Sequence, residues 1–496
     1  MNRLLLFFII CISLLSADLI HPPDGSELSY IHIMFEWQAE NTSEYIFELY
    51  NSDNTQLISE PTIDLQYLVT DLEHINWESS YFWRVSADGG QSWINTKSFS
   101  TGSTLSTVSV TEHDEIDNYA AGYTIFGSES GKYSAIIDKM GNEIWNSGDQ
   151  NIIYYNFDEN GSFFGAKYDD TLLNSYPGIK FSLTDSIVWQ EPNDAFVHHE
   201  FMELPWGDYL GIVHEYQIGP IHATGTMQMA YWALGYTANG VKNEWSWQGD
   251  RLVIWDDNTK DVKWTWSTFD HFDMSDYNNN EWNQMPTPNG HFDWTHVNAF
   301  HFDERDGSIY ISTRNLSRIT KIQIEYNNIT DEISGGDIIW NMGREDDPSG
   351  QVNFGHNLGF SKQHSISFSL EDNLVIFDNG NDSETYLNTN QPLSRALEIS
   401  VSESAVGYSA NIAWEYVLPG NLFGSDAGNV QQLTNGNYLI TTIGNSGTTL
   451  EVTSNGDLVW EVNYSTLLMW RASRIETLYP DISNLTTNPQ STIIDE

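Results

Sequence analysis

"TTLEVTSNGDLVWEV", residues 448–462, is the stretch that decides the fold. Two short apolar runs flank an Asn-Gly turn, which is typical of a β-hairpin, and the second run leads into Trp460. Five other stretches place a tryptophan in the same way, within "NEIWN", "DSIVWQ", "DVKWTW", "DIIWNM" and "NIAWEY". The six equivalent tryptophans are Trp145, Trp189, Trp264, Trp340, Trp414 and Trp460. One hairpin repeated along the chain predicts a fold built from repeated units.

A second strand pair precedes most of these tryptophan hairpins. It has the form strand, tight turn, strand, in "HEFMELPWGDYLGIV" (199–213), "FHFDERDGSIYIS" (300–312) and "VQQLTNGNYLITT" (430–442). Four strands in each of six repeats are typical of a six-bladed β-propeller. An array of β-sandwiches is the rival, but it would not repeat one tryptophan hairpin at the end of each unit. We therefore predict an all-β chain with a six-bladed β-propeller over 108–480, preceded by a small β-sandwich.

The ends of the chain lie outside the repeat. Residues 18–102 include "SYFWRVSADGGQSWINTKSFST" (80–101), which alternates as strands do, and Leu72 and Tyr81 are placed as in the corner of a sandwich. This stretch resembles a fibronectin type III domain. After Trp460, "LLMWRASRIETLYPDI" is expected to return and close the propeller ring or to pack beneath it, and 481–496 forms a C-terminal tail.

The first residues and the charge bound the compartment and the partners. "MNRLLLFFIICISLLSADL" has a basic residue, an apolar run too short to cross a bilayer and then small residues, so 1–17 is expected to be a signal peptide. The mature protein is then periplasmic or secreted, without membrane insertion and, since Cys11 is the single cysteine, without a disulfide. A net charge of −49 argues against nucleic acid or an anionic membrane as a partner. Calcium in turns such as "DDNTKD" and a homodimer both stay open.

Candidate site residues follow from the direction of the strands. The first strand of each blade lines the channel, and it starts on the face where the second strand ends. His198 and His364 each stand six residues before the leucine of their hairpin turn, and His296 opens the inner strand of the blade between them. Arg314 ends a second strand beside His296. We expect these four side chains to meet in one funnel, while His199 points away from His198 unless a bulge reverses their order.

Three long connections should surround the same funnel, because they lie on that face. They span 217–249, 268–294 and 342–363. Long loops on a rigid scaffold are common places for binding residues. Their aromatic residues offer flat apolar surface for an aromatic ligand, and these residues are Tyr231, Trp232, Trp282, Phe292 and Trp294.

The residue types indicate anion chemistry. A guanidinium suits bidentate binding of sulfate, phosphate or carboxylate oxygens, and histidines bind such oxygens, move protons or act as nucleophiles. A fixed arginine opposes a dication, and the aligned set holds no carboxylate, so we expect no metal and no cofactor. A three-histidine zinc or iron site is the rival interpretation.

The elements "HHEFMELPWGDYL", "DWTHVNAFHFDERDGSIYISTRN" and "KQHSISFSLEDNLVIFDNGN" resemble the bacterial aryl-sulfate sulfotransferases, over roughly residues 110–480. The resemblance implies transfer of a sulfuryl group from a phenolic sulfate ester to a phenol, through a sulfohistidine and without nucleotide or metal. It implies that His364 is the nucleophile, that His198, His296 and Arg314 hold the sulfuryl oxygens, and that Asn298 assists them. We add Trp282 and Trp294 as candidate substrate contacts. The alternatives are a non-catalytic propeller that binds anionic aromatic or sugar ligands, and a metal-dependent hydrolase or lyase.

Overall fold

The structure is a computed structural model of the 496-residue chain. It describes residues 18–40, 42–113, 118–158, 161–168, 176–183, 187–192, 197–222, 226–276, 290–343, 350–353, 358–465 and 469–479. The expected signal peptide, the C-terminal tail and Trp282 lie outside these residues. The described residues form two compact units, one up to Thr104 and one from Leu105 onward.

The first unit is a small β-sandwich of a three-stranded sheet, β1-β3-β6, and a five-stranded sheet, β2-β8-β7-β4-β5. Its strands are β1 (Leu19–His21), β2 (Ser26–Leu28), β3 (Ile33–Trp37), β4 (Tyr45–Asn51), β5 (Gln56–Thr62), β6 (Gln66–Val69), β7 (Ser80–Ser86) and β8 (Ile94–Thr101). Phe35 and Phe47 lie 4.8 Å apart in its core. The Tyr81 hydroxyl accepts a hydrogen bond from the Asn76 N–H at 2.8 Å, so a corner tyrosine is present. The narrower assignment to fibronectin type III stays a prediction.

The second unit has six sheets in chain order, each with four consecutive positions from the channel outward. The first three blades are β35 (Met469–Ile475), β10 (Tyr123–Ser128), β11 (Tyr133–Ile137), β12 (Glu143–Asn146); β13 (Ile152–Phe157), β14 (Phe163–Lys167), β15 (Gly178–Phe181), β16 (Ile187–Gln190); and β17 (Val197–Glu203), β18 (Tyr209–Pro220), β19 (Asn243–Trp255), β20 (Val262–Ser267). In the third blade, β21 (Phe292–Asp293) adds to β19 in parallel.

The other three blades follow the same order. They are β22 (Val297–Asp303), β23 (Ser308–Thr313), β24 (Arg318–Asn327), β25 (Glu332–Met342); β27 (His364–Phe368), β28 (Leu374–Asp378), β29 (Arg395–Ser404), β30 (Gly407–Val417); and β31 (Asn429–Gln432), β32 (Tyr438–Thr442), β33 (Thr448–Val452), β34 (Leu458–Asn463). Two short strands extend outer edges, β9 (Ser109–Glu112) on β34 and β26 (Val352–Asn353) on β30. The helices are α1 (Thr226–Ala233), α2 (Thr268–His271) and α3 (Ser383–Tyr386), and single 3-10 turns occur at Gly420–Leu422 and Gly444–Ser446.

The ring of blades is closed. Each inner strand contacts the inner strand of the next blade, and β35 contacts both β31 and β13. Strand β35 comes from the end of the chain but pairs with β10 near the start, through Ala472 and Phe126 among others. The segment after Trp460 therefore closes the ring, as the first of its two expected alternatives.

The six repeated tryptophans join neighbouring blades. Each indole N–H donates to a backbone or side-chain oxygen of the following blade, and the last donates back to the first. The acceptors, in order from Trp145, are Leu183 O, Asp257 O, Gly335 O, Glu403 Oε1, Ser454 O and Lys139 O, at 2.7 to 3.3 Å. The sequence repeat that predicts the fold is thus a set of contacts that holds the ring together.

The second strand of a blade is packed on both faces by its neighbours. Strands β23, β28 and β32 are buried throughout, with the sequences "SIYIST", "LVIFD" and "YLITT". A strand buried on both faces needs no polar face, so its sequence lacks strict alternation. No helix in the described part of the chain is long and apolar enough to cross a membrane.

Candidate active site

Three adjacent inner strands, β17, β22 and β27, begin on the same face with histidines, and each begins irregularly. The pairing of each strand with its neighbour shifts register within its first residues. His199, His296 and Ser365, which follows His364, have positive φ values of 68°, 50° and 63°. Left-handed backbone at non-glycine residues costs of the order of 1 kcal/mol or more and is common at functional sites. These kinks redirect the histidines, so side-chain alternation does not hold at this edge of the channel.

His364 is held in one tautomer. Its Nδ1 lies 2.7 Å from Asn379 Oδ1 and 3.2 Å from Lys362 O, two acceptors, so Nδ1 carries the proton. Its Nε2 accepts a hydrogen bond from the Ala427 N–H at 3.2 Å. Burial, followed by the positive charge of Arg314, holds the pKa of His364 well below its usual range. His364 is thus neutral near pH 7, with the Nε2 lone pair as its basic and nucleophilic position.

Asn379 fixes this tautomer because its own orientation is determined. Its Nδ2 donates to Gly424 O at 2.8 Å and to Ala427 O at 3.0 Å, so its Oδ1 must face His364. The following residue, Gly380, has φ +69°, and a Cβ there would lie 1.7 Å from a backbone carbonyl oxygen. Only glycine fits that position. The "DNG" of the sequence is therefore a turn that presents an amide oxygen to His364.

His296 is paired with a carboxylate. Its Nδ1 lies 2.6 Å from Asp293 Oδ2, and its side chain is 26% exposed. Burial alone would lower the pKa of His296, but the charge of Asp293 and the hydrogen bond to it outweigh burial, and the pKa is raised. His296 therefore carries a proton to higher pH than an ordinary histidine, whereas His364 does not.

The two adjacent histidines of β17 have exchanged their expected places. His198 is buried and turns toward Asp250, with Nε2 3.3 Å from Asp250 Oδ1, and burial lowers its pKa to about 4. His199 is less buried, and its ring lies 4.9 Å from the ring of His296. The charge of His364 contributes to lowering the pKa of His199, after burial and the nearer histidines. Because φ is positive at His199 and the strand is bulged, this residue, and not His198, is next to His296. The expectation that His199 points away is wrong.

Arg314 lies beside these histidines at the end of β23. Its Nη1 donates to Asn315 Oδ1 at 2.9 Å, and its Nη2 forms an ion pair with Asp426 and donates to Ser425 O at 3.3 Å. Its Nε is buried and donates to none of the described residues. A buried cationic N–H without an acceptor fits a site that receives an anionic oxygen.

Asn298 supports the site from within the channel. It is fully buried, and its Nδ2 donates to Gln363 O at 2.8 Å, which positions the backbone immediately before His364. Its own backbone oxygen accepts from Arg471 Nη2 at 3.1 Å, and Arg471 forms a buried ion pair with Glu200. Asn298 thus contacts the peptide that carries His364.

The expected aromatic grip is mostly internal. Trp294 is 1% exposed and packs 5.2 Å from Phe269 and 5.5 Å from Trp247, and Tyr231 and Phe292 are buried in the same core. These rings stabilise the long β18–β19 hairpin and its insert, so they do not offer a free face to a ligand. Of the five aromatics predicted to line the mouth, Trp232 is exposed, and Trp282 lies outside the described residues.

The sequence interpretation also missed several polar residues. It predicted no carboxylate in the set, but Asp293 pairs with His296, Asp426 with Arg314, and Asp250 with His198. Asn379 was visible within "DNGN", and Asp293 within "DWTH", as members of quoted elements without a role. Pairing partners of known site residues three positions away or across a hairpin are the signal that would have found them.

Among the described residues, one cluster has the composition of a metal centre. One ligand atom from each of His198, His214 and Asp250 lies within 4.8 Å of the others. It is offset from Arg314 and His364 and belongs to the third blade alone.

Comparison with known proteins places these features in a family. A family model described as Arylsulfotransferase (ASST) matches residues 110–466. No curated protein matches the chain significantly. Similar solved structures include a protein of unknown function from Bacteroides caccae, with 10% identity and a TM-score of 0.40, covering 72% of this chain and 100% of that one.

Two further structures have the same order of similarity. An auxiliary nutrient binding protein from Bacteroides ovatus has 9% identity and a TM-score of 0.25, with 90% of this chain and 97% of that one covered. Hsv2 from Kluyveromyces lactis has 9% identity and a TM-score of 0.27, with 69% of this chain and 96% of that one covered. Their low scores support no inference about activity.

Proposed function

The chain belongs to the arylsulfotransferase family, and we propose that it transfers a sulfuryl group from a phenolic sulfate ester to a phenol through a covalent intermediate on His364. The observation that carries this proposal is the neutral His364, whose protonated Nδ1 is fixed by Asn379 and whose Nε2 lone pair lies among cationic groups. A neutral imidazole nitrogen is a suitable nucleophile at ordinary pH.

In the first half-reaction, His364 Nε2 attacks the sulfur of the donor. The N–S bond forms, the bond from sulfur to the aryl oxygen breaks, and the electron pair leaves with that oxygen. Protonated His296 gives its proton to the leaving phenolate. The His364 ring becomes an imidazolium that carries the sulfuryl group, and Asn379 Oδ1 stabilises it by accepting from Nδ1–H.

The second half-reaction reverses these roles. Neutral His296 takes the proton of the acceptor phenol, the phenol oxygen attacks sulfur, and the N–S bond breaks with its electron pair returning to His364 Nε2. Asp293 keeps His296 basic enough for both tasks. One residue thus acts as acid and then as base.

Arg314 and His199 contact the sulfuryl oxygens in this proposal. Negative charge on those oxygens is stabilised best by fixed donors, as in phosphoryl transfer. Arg314 brings its buried Nε–H, and His199 lies beside His296. We assign to His199 the role that the sequence gave to His198, and to Asn298 the positioning of the His364 backbone. The proposed location is periplasmic or secreted.

The test is turnover of nitrophenyl sulfate by the purified protein, with and without added phenol and with and without a chelator. We expect nitrophenol release that depends on the acceptor and that survives chelation, because each cationic group in the mechanism is a side chain. Release that needs no phenol, stops with chelator and returns with zinc would replace this proposal with the metal-dependent hydrolase. No release under any condition would favour the non-catalytic propeller.

A further inference from the structure

A compact group of ligating side chains lies in the third blade, behind the sulfuryl-transfer residues. His198, His214 and Asp250 come from three adjacent strands, β17, β18 and β19. His198 and Asp250 are 3% and 2% exposed, and the rings of the two histidines stack with centroids 4.0 Å apart. Two imidazoles and a carboxylate are thus brought together by pairing within one blade.

The distances suit a shared ion. Asp250 Oδ1 lies 3.3 Å from His198 Nε2 and 3.5 Å from His214 Nδ1. A Zn²⁺ ion with ligands at about 2.0–2.2 Å in tetrahedral geometry keeps its ligand atoms about 3.4 Å apart. Two of the three separations already have this value, and the third is at most 4.8 Å. A small tilt of the stacked rings closes it.

The two oxygens of Asp250 have different surroundings. Oδ2 accepts from the Thr295 hydroxyl at 2.6 Å and from the Val297 N–H at 2.7 Å, which fixes the carboxylate. Oδ1 is buried and has no hydrogen bond of good geometry with any described residue, although it faces the two ring nitrogens. A carboxylate oriented through one oxygen, with the other aimed at two imidazoles, is the arrangement of a metal ligand with its outer hydrogen bonds.

We propose that His198 Nε2, His214 Nδ1 and Asp250 Oδ1 bind one divalent transition-metal ion. Two imidazoles and one carboxylate favour Zn²⁺, Co²⁺ or Fe²⁺ over Ca²⁺ or Mg²⁺, which prefer oxygen ligands. The Gln248 amide lies 3.1 Å from His214 Nδ1, and the ion would replace this contact.

The ion would act on the neighbouring site through His198. Coordination through Nε2 leaves the proton of His198 on Nδ1, which lies 2.5 Å from His199 Nδ1. His199 then accepts that proton in a hydrogen bond and keeps its own on Nε2, so that it can donate to a sulfuryl oxygen. The ion supports the orientation of His199 and touches no reacting atom.

Co²⁺ is the probe for the test, because it replaces Zn²⁺ and its visible absorption reports low coordination number and nitrogen ligands. The full protein, purified with an affinity tag that lacks histidine and stripped with a chelator, is titrated with Co²⁺ and then with Zn²⁺. We expect one Co²⁺ per chain, with absorption that Zn²⁺ removes. His214→Ala should weaken Co²⁺ binding by more than the about 10–100-fold that loss of an outer hydrogen-bond partner costs.

His113→Ala is the matched control, since His113 Nε2 lies 3.4 Å from Glu461 with no second histidine in that pair. Circular dichroism checks the fold of each variant, and His214→Gln replaces His214→Ala if the latter does not fold. Wild-type protein that takes up no Co²⁺, or a His214 variant that binds it as tightly as wild type, would overturn the proposal. The titration contains no sulfate ester, so its outcome is independent of the sulfuryl-transfer test.

Discussion

His296 and His364 have opposite protonation at the same pH, and each has a different cause. His364 is buried beside Arg314 and hydrogen-bonded to a neutral amide, so its pKa is lowered. His296 is also buried, but Asp293 raises its pKa. A neutral nucleophile and a protonated acid can thus coexist within one funnel near pH 7.

Asp293→Asn tests this division of roles. Cleavage of the donor needs protonated His296, so in the wild type its rate should fall as pH rises through the raised pKa of His296. Without Asp293, burial and Arg314 lower that pKa, so the fall should move to lower pH. At neutral pH we expect phenol release to slow by about tenfold or more. The measurement is single-turnover phenol release against pH.

Asp273→Asn is the control, because Asp273 caps a turn by accepting from the Ser275 N–H and pairs with no histidine of the site. If the Asp293→Asn profile keeps its midpoint while the rate falls, Asp293 has a structural role only, and another group supplies the proton.

Residue positions were predictable from the sequence where strand ends decide them, but side-chain directions were not. Alignment of inner strands placed His296, His364 and Arg314 on one face. The choice between His198 and His199 depended on a positive φ and a bulge, which no local pattern reveals. Asn379 and Asp293 act through hydrogen bonds to other site residues, so they became recognisable only with the geometry.

At the scale of elements, the tryptophan hairpins explain both the repeat and the closure. Trp460 is fully buried, and its indole donates to Lys139 O at 2.9 Å, across the junction between the last and the first blade. The helix α1 and the edge strands β21 and β26 were not predicted, because they lie in inserts that share no period with the blades.

Trp460→Phe should therefore lower stability by about 2–3 kcal/mol, from a lost buried hydrogen bond and a partly filled cavity. Trp232→Phe is the matched control, since Trp232 is 52% exposed and lies outside the ring junctions. Equilibrium unfolding in urea, followed by circular dichroism, compares the two variants. Equal midpoints for both would mean that the Trp460 contact does not stabilise the ring.

The whole molecule carries a net charge of −49, whereas the proposed site binds an anion. The surface repels a sulfate ester at long range, and the cationic groups attract it only nearby. Screening over about 8–10 Å at physiological ionic strength weakens the repulsion more than the short contacts. We expect kcat/KM for an anionic donor to rise as salt is added from very low ionic strength. A steep fall from the lowest salt upward would show that the field of the funnel dominates.

The most direct test of the account is the intact mass of the protein after rapid mixing with aryl sulfate in the absence of acceptor, quenched at alkaline pH to protect an N-sulfonate. We predict a gain of one sulfuryl group that maps to His364 and disappears on addition of phenol. His364→Asn should show neither this gain nor a burst of phenol. His301→Asn, which changes a histidine of the inner strand β22 outside the site, should show both. A normal burst in His364→Asn, or a sulfuryl group that maps to another residue, would contradict the assignment of His364 as the nucleophile.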